Sequence, residues 1–333
     1  MNIAAMMNFD SIRWRRLGAA IALAMLICAA PARAWCASAD LWVAVYNSEK
    51  IEAYTPGQLK TSGTPSPISL DNSPATGLAF DKSHNLWAVL NGDEVVEFTA
   101  AQIKNLKNDS MPTPNAIITS GTFTDIGGCN FDRQGNLWTV DFVNHSLNEL
   151  SKAQLAAGSG NVTPAIVITS SDLAAGSFVT FDKAGNAWTD GGEGIAEYSA
   201  SQLTSGGSKP ANIVLTDDGS NTSLNEPGEI AFDKKGNLWI ANDGANTVVE
   251  YAKDQLSSSG SPEPKVKLSS AVFNGPWGAV FDSKGDLLIM NFHNGTIAKF
   301  RAKQLKGSGA PVPAVSVLGG GAAPFQIIFG PAT

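Results

Sequence analysis

The chain has 333 residues, 43% of them hydrophobic and 16% charged, with 23 Lys and Arg against 30 Asp and Glu and a formal net charge of −7. That is enough apolar side chain for a large core, and the negative balance argues against nucleic acid or anionic lipid as a partner. Its three cysteines, Cys28, Cys36 and Cys129, provide no disulfide framework.

Residues 1–34 read as a secretory signal: Arg13, Arg15 and Arg16 precede an apolar run from Leu17 to Ala30, and Ala32-Arg33-Ala34 offers a cleavage site. Cleavage after Ala37-Ser38-Ala39 is the other reading, and it would also remove Cys36. Loss of residues 1–34 takes away four Arg and one Asp, leaving 19 basic against 29 acidic residues, a net charge of about −10. A secreted or periplasmic protein is expected. No later apolar stretch approaches the ~18 residues that a membrane span needs.

After the signal, Asp40-Leu41-Trp42 is the second half of a phrase whose full form is Phe-Asp, a short polar turn, then Leu-Trp or a close variant. Full copies start at Phe80, Phe131, Phe181, Phe232 and Phe281, with spacings of 51, 50, 51 and 49 residues. The missing first half, Phe329-Gly330, stands 48 residues beyond Phe281. A repeat of this length built from short strands is the mark of a ring of blades. A repeat split between the two ends closes that ring. The expected fold is all-β: a six-bladed β-propeller of four-stranded blades, forming a single domain over residues 35–333. Closure would pair Gln326–Phe329 with Leu41–Ala44, beside Lys50–Tyr54 and a strand near residues 67–70.

Residues 226–268 give the clearest blade. Gly228–Phe232, Leu238–Ala241 and Thr247–Tyr251 are the first three strands, Asp233–Asn237 and Asn242–Asn246 are turns, and Lys265–Leu268 marks the fourth. The linker before the fourth strand carries Gln-Leu or Gln-Ile, at Gln58, Gln102, Gln154, Gln202, Gln255 and Gln304. Thr55, Thr99, Ser151 and Ser199 stand three residues before four of these, a capping-box spacing that predicts one helical turn per linker. The repeated Phe and Trp read as packing between blades, and Cys129 as a small core residue. His84 stands where the other copies have Gly, so it must take up a left-handed backbone or reshape its turn.

These residues resemble NHL-repeat and related six-bladed propellers, among them the gluconolactonase-like hydrolases and the streptogramin lyases, over nearly all of residues 40–333. The resemblance implies the architecture and leaves the activity open, since such propellers include enzymes, binding heads and scaffolds.

In the expected ring, the loops entering each inner strand and those joining strands two and three share one face. That face gathers Asp71, Asp93, Glu94, Asp125, Asp141, Asp172, Asp190, Glu193, Asp217, Asp218, Glu226 and Asp243. The opposite face carries Lys60, Lys82, Lys107, Arg133, Lys152, Lys183, Lys234, Lys235, Lys253 and other cations, so the disc should be acidic above and basic below. Asn47, Asn91, Asp141, Asp190, Asn242 and Asn291 all end the second strand, and oxygens converging there would suit Ca²⁺. Equivalent Asp and Asn residues also serve as turn caps.

The gluconolactonase resemblance implies a Glu, Asn and Asp metal triad at the starts of inner strands. The matching positions here, Thr76, Gly127, Ser177, Gly228, Trp277 and Phe325, hold no carboxylate or carboxamide. The streptogramin-lyase resemblance implies a Glu-x-His pair, and Asn291-Phe292-His293 lacks the Glu, leaving His145 and His293 as candidate bases. Trp277 and Phe325, in adjacent blades, would either stack on a ligand or plug the axial channel. The residues expected to meet a ligand are therefore Asp141, Asp190, Asp243, Asn291, Trp277 and Phe325. The leading expectation is a monomeric, non-enzymatic module holding a peptide, glycan or protein on its acidic face. The alternatives are a metal-dependent lactonase-like or lyase-like enzyme and a structural envelope protein.

Overall fold

Each Phe-Asp phrase ties itself into a hydrogen-bonded knot. In the third blade, Asp132 Oδ1 accepts from the backbone amides of Gly135 and Asn136 at 2.8 and 2.9 Å, and its Oδ2 accepts from Asn136 Nδ2 at 2.8 Å and Trp138 Nε1 at 3.1 Å. Asn136 Oδ1 then accepts from the amide of Lys152, which opens the linker's helical turn. Asp81 and Asp182 make the same set of bonds with their own Asn and Trp. The spacing of Asp, Asn and Trp is thus a local folding code. His84 fills the glycine position of its knot with φ 69°, so the turn keeps its shape at the cost of a left-handed non-glycine residue.

The computed structural model describes residues 40–71, 74–106, 112–191, 194–220, 223–319 and 323–331, and residues 39–333 pack as one compact unit. The expected signal segment with Cys28 and Cys36, together with Lys107, Glu193 and the side chain of Asp71, lies outside the described residues. Six antiparallel blades follow in sequence order. Blade I consists of Pro324–Gly330, Asp40–Val45, Lys50–Tyr54 and Ile68–Asp71. The inner strands of blades II to VI are Ala75–Phe80, Ile126–Phe131, Val179–Phe181, Pro227–Phe232 and Pro276–Phe281. Ring closure follows the expected register, with Trp42 opposite Ile328. Among the described residues no helix is long and apolar enough to cross a membrane.

Trp and Phe join consecutive blades. Trp42 meets Phe80, Trp87 meets Phe131, Trp138 meets Phe181, Trp188 meets Phe232 and Trp239 meets Phe281, all edge-on with ring centroids 5.6–6.4 Å apart. Each such pair contributes about 0.5–1.5 kcal/mol beyond its burial. Leu288 replaces the Trp between blades VI and I and packs in one cluster with Phe329.

The linker glutamines do more than the capping-box spacing predicts. All six accept from the backbone amide three residues earlier, and each Nε2 donates to a carbonyl shortly before the fourth strand, for example Gln255 to Glu263 O and Gln304 to Val312 O. Gln255 and Gln304 do this with Ala252 and Arg301 at the cap, so glutamine, not the Ser or Thr, is the constant part. The turns themselves are α-helical at Ala100–Lys104 and Lys152–Ala157 and 3₁₀ in the other four linkers.

Beyond the helical turn, several linkers lie along the outer strand of the preceding blade. Gly160, Gly207, Gly260 and Gly309 pair in parallel with Ile118, Ile168, Leu215 and Leu268. Ser159, Ser259 and Ser308 accept from outer-strand amides at 3.0 Å. Edges that would otherwise be free to pair with other chains are covered in this way.

Candidate functional site

The inner strands carry a register shift near their upper ends, between Ala75 and Gly77, Ile126 and Cys129, Pro227 and Ile230, and Pro276 and Gly278. A bulge re-aims side chains, and here it concerns the residues three and four before each inner Phe. Counting three back gives Gly77, Gly128, Phe178, Glu229, Gly278 and Gln326. Three are glycines and three are large side chains, and the glycines stand where a Cβ would have no room. A Cβ on Gly128 would come within 2.5 Å of the Phe178 ring, and one on Gly228 would collide with the Trp277 carbonyl.

Those large side chains fill the axis. Phe178, from blade IV, meets Phe325, from the opposite blade I, at 5.3 Å and Trp277 at 5.8 Å, and Trp277 lies 5.9 Å from Phe325 and 5.7 Å from Phe292. Trp277 and Phe325, both half-buried, therefore form a lid with Phe178. Next to the lid lies a polar belt. Glu229 Oε2 accepts from the amides of Ala279 at 3.2 Å and Ile327 at 3.3 Å. Gln326 Oε1 accepts from Leu78 N at 2.6 Å, its Nε2 donates to Cys129 O at 3.4 Å, and its carboxamide also bonds the Glu229 carboxyl. Two side chains thus bridge the inner strands of blades V, VI, I, II and III. Burial pushes the Glu229 carboxyl well above its usual range, against the pull of its hydrogen bonds, and nearby Asp190 pushes the same way.

The four polar residues expected at the site lie on different elements and differ in what they face. Asp141 is fully buried, and its oxygens take the amides of Thr124, Val143 and Asn144 and the side chain of Asn144. Asn291 Oδ1 accepts from Asn274 N, as Asn242 Oδ1 does from Asn225 N, fastening the loop that enters the same blade. Asp190 turns inward, 1% exposed, with Oδ1 accepting from Ser177 N at 3.0 Å and Phe178 N at 2.6 Å. Burial outweighs these bonds and raises its carboxyl to about 8. Asp243 does reach the surface cleft between blades V and VI, 3.3 Å from the half-exposed His293. Burial raises its carboxyl, opposed by His293 and reinforced by Glu226. His145 lies exposed in a turn.

Hydrogen bonds engage most of the second-strand oxygens. Asn91 bonds Glu94, Asp141, Asp190, Asn242 and Asn291 are engaged as above, and among the described residues no three His, Cys, Asp or Glu side chains group as a metal site. Titration with millimolar Ca²⁺ is therefore expected to leave the melting temperature unchanged, and a saturable rise would overturn this account of the ring.

The exposed part of the upper face is aromatic and acidic. Tyr46 and Phe142 are each 45% exposed and Val143 51%. Glu49, Asp93, Asp125 and Glu226 are exposed around them. Deep concavities open on the other face: one of about 1010 Å³ under blades III to V, and one of about 700 Å³ under blades V and VI.

No family model matches the chain, and no curated protein matches it. Solved structures do. A protein of unknown function from Bacteroides caccae is similar over 88% of this chain and 99% of its own, at 10% identity and TM-score 0.59. A chain of the nidogen–laminin complex is similar over 88% of this chain and 98% of its own, at 12% identity and TM-score 0.58. A streptogramin B lyase aligns over 75% of this chain and 72% of its own, at 14% identity and TM-score 0.47. The chain is a six-bladed β-propeller.

Proposed function

We propose that this is an exported, non-catalytic propeller that holds a basic protein or peptide segment on its acidic, aromatic upper face. The observation that carries this reading is the combination of exposed Tyr46, Phe142 and Val143 with exposed carboxylates, above an axis closed by Phe178, Trp277 and Phe325. Large aromatic side chains supply binding energy at protein interfaces, and a field of one sign attracts partners of the other. The filled axis leaves the upper face as a platform. A propeller neighbour, in the nidogen–laminin complex, has a protein partner, which is compatible with such a role.

The test is a displayed library of Lys- and Arg-bearing peptides, screened against the mature protein. Selected peptides are expected to lose about tenfold or more in affinity on Phe142→Ala or Tyr46→Ala, and to weaken with salt. Binding that survives both substitutions, or is lost only with changes on the lower face, would refute the reading. An enzymatic reading has one specific observation behind it, the imidazole of His293 set beside Asp243 at the rim of the lid.

A further inference from the structure

The lower face offers a cavity. Its lining is of two kinds. Half-buried phenyl rings of Phe131, Phe181 and Phe232 form an apolar wall at the foot of the inner strands, and Arg133, Lys183, Lys234, Lys235 and Lys253 stand along it. The neighbouring cavity shares Phe232, Lys234 and Lys235 and adds Phe281, Lys265 and Lys306.

The cations are placed by the repeat itself. Lys82, Arg133, Lys183 and Lys234 occupy the same turn position in successive blades. Lys82 Nζ donates to Arg133 O at 2.8 Å, Lys183 Nζ donates to Lys234 O at 2.6 Å, and Lys234 Nζ donates to Ser283 O. Each ammonium is thus held over the next blade's turn by a neutral carbonyl and not by a carboxylate. Lys299, by contrast, makes salt bridges with Asp282 and Asp286.

Carboxylates also line the cavity, but their oxygens are spoken for. Asp132, Asp182 and Asp233 are bound into their turn knots. Glu197 accepts from Asn212 Nδ2 at 2.7 Å, and its carboxyl is raised by burial, with Asp182 acting in the same direction. Five cations stand against four carboxylates in this lining, and the donors that face a ligand beside the apolar wall are the ammonium and guanidinium groups.

We propose that this cavity binds a small amphipathic organic anion, with the acyl or aromatic body against the phenyl wall and the anionic head on the lysine arc. A volume of about 1010 Å³ suits a molecule well beyond an inorganic ion. A bare anion would leave the phenyl rings in water, and a neutral apolar molecule would leave the lysines unused. The site lies on the face opposite to the peptide platform proposed above, so either can fail alone.

The experiment uses the mature protein with octanoate, 1-octanol and sulfate as probes, read by calorimetry and by the fluorescence of Trp188 and Trp239, which line the two cavities. Octanoate is expected to bind saturably with a Kd of about 0.1 mM or tighter, and 1-octanol and sulfate at least about tenfold more weakly. The double variant Lys183→Gln/Lys234→Gln is expected to weaken octanoate by about tenfold or more while 1-octanol is unaffected. Phe142→Ala, on the upper face, is expected to change neither. Should the double variant lose its melting transition, Lys235→Gln/Lys253→Gln, two lysines not engaged with a neighbouring turn, gives the same reading. Equal binding of octanoate and 1-octanol, undiminished binding by a folded lysine variant, or no saturable octanoate binding at about 10 mM would each overturn the proposal.

Discussion

Replacing Gln326 with leucine is expected to destabilise the ring by about 3 kcal/mol, because it strands two buried backbone groups at about 1–3 kcal/mol each. The groups are Leu78 N and Cys129 O, which lie in the inner strands of blades II and III and lose their acceptor and donor together. Leucine is close to glutamine in size, so the loss is one of pairing and not of volume. The same change takes a hydrogen bond from the buried Glu229 carboxyl, which keeps only the amides of Ala279 and Ile327. Gln326 belongs to the closing strand, whose pairing with Asp40–Val45 joins the two ends of the chain. The loss should therefore spread to closure: urea unfolding should shift to lower midpoint, and amide exchange in Asp40–Val45 should rise more than in blade IV. Gln304→Leu, a surface change that removes a single linker bridge, is the comparison. If Gln326→Leu costs less than about 1 kcal/mol, or no more than Gln304→Leu, the axial belt does not hold the ring together.

The belt shows where the sequence stops being legible. Blade number, strand order, closure register and the Phe–Trp contacts follow from residues that repeat, because each repeats for a local reason: Asp132 and Asn136 shape one turn, and Trp138 reaches the next Phe. The axis is built from residues that differ between blades. Glu229 and Gln326 occur once each, and their partners lie 50 to 248 residues away. Their signal was the split of one strand position between Gly77, Gly128 and Gly278 and the large Phe178, Glu229 and Gln326, visible only when the copies are stacked three residues before the Phe. The lid follows a different logic. Trp277 and Phe325 stand out as aromatics at the channel entrance, but that Phe178 completes them across the ring depends on its blade lying opposite.

The ring of second-strand Asp and Asn makes the contrast sharper. One spacing predicts a shared axis, yet Asp141 and Asn291 face loop amides and Asp190 alone turns inward. A position fixed by register leaves the rotamer open, and the nearest unpaired amide takes the side chain. Blade VI carries a related substitution within the repeat. Asp286 stands where the other full copies have Asn, Lys299 stands where they have Glu, and Lys299 Nζ lies 2.7 Å from Asp282 Oδ2 and 3.3 Å from Asp286 Oδ2. The knot keeps its connections with the charges exchanged.

Asp190 gives a pH effect that a single substitution can read. Its carboxyl is raised from the ordinary 3.8 to about 8, chiefly by complete burial. Between those two values the folded chain holds a proton there that the unfolded chain releases, so folding stability falls as pH rises. The contribution is about 1.4 kcal/mol per pH unit and is levelled off by solvent penetration, so several kcal/mol accumulate by pH 8. An asparagine side chain in its place would be isosteric with the protonated acid and keep an oxygen for Ser177 N and Phe178 N. Asp190→Asn is therefore expected to match the parent near pH 4 and to exceed it by a margin that widens up to about pH 8 and is constant above it. Glu229, raised in the same direction, remains in both proteins, and because the Asp190 charge adds to its shift the margin reports the two carboxyls together. Urea unfolding of the two proteins at several pH values between 4 and 9 measures this margin directly. A margin that is independent of pH would show that Asp190 is ionised in the folded ring at neutral pH, its charge carried by the two amides alone.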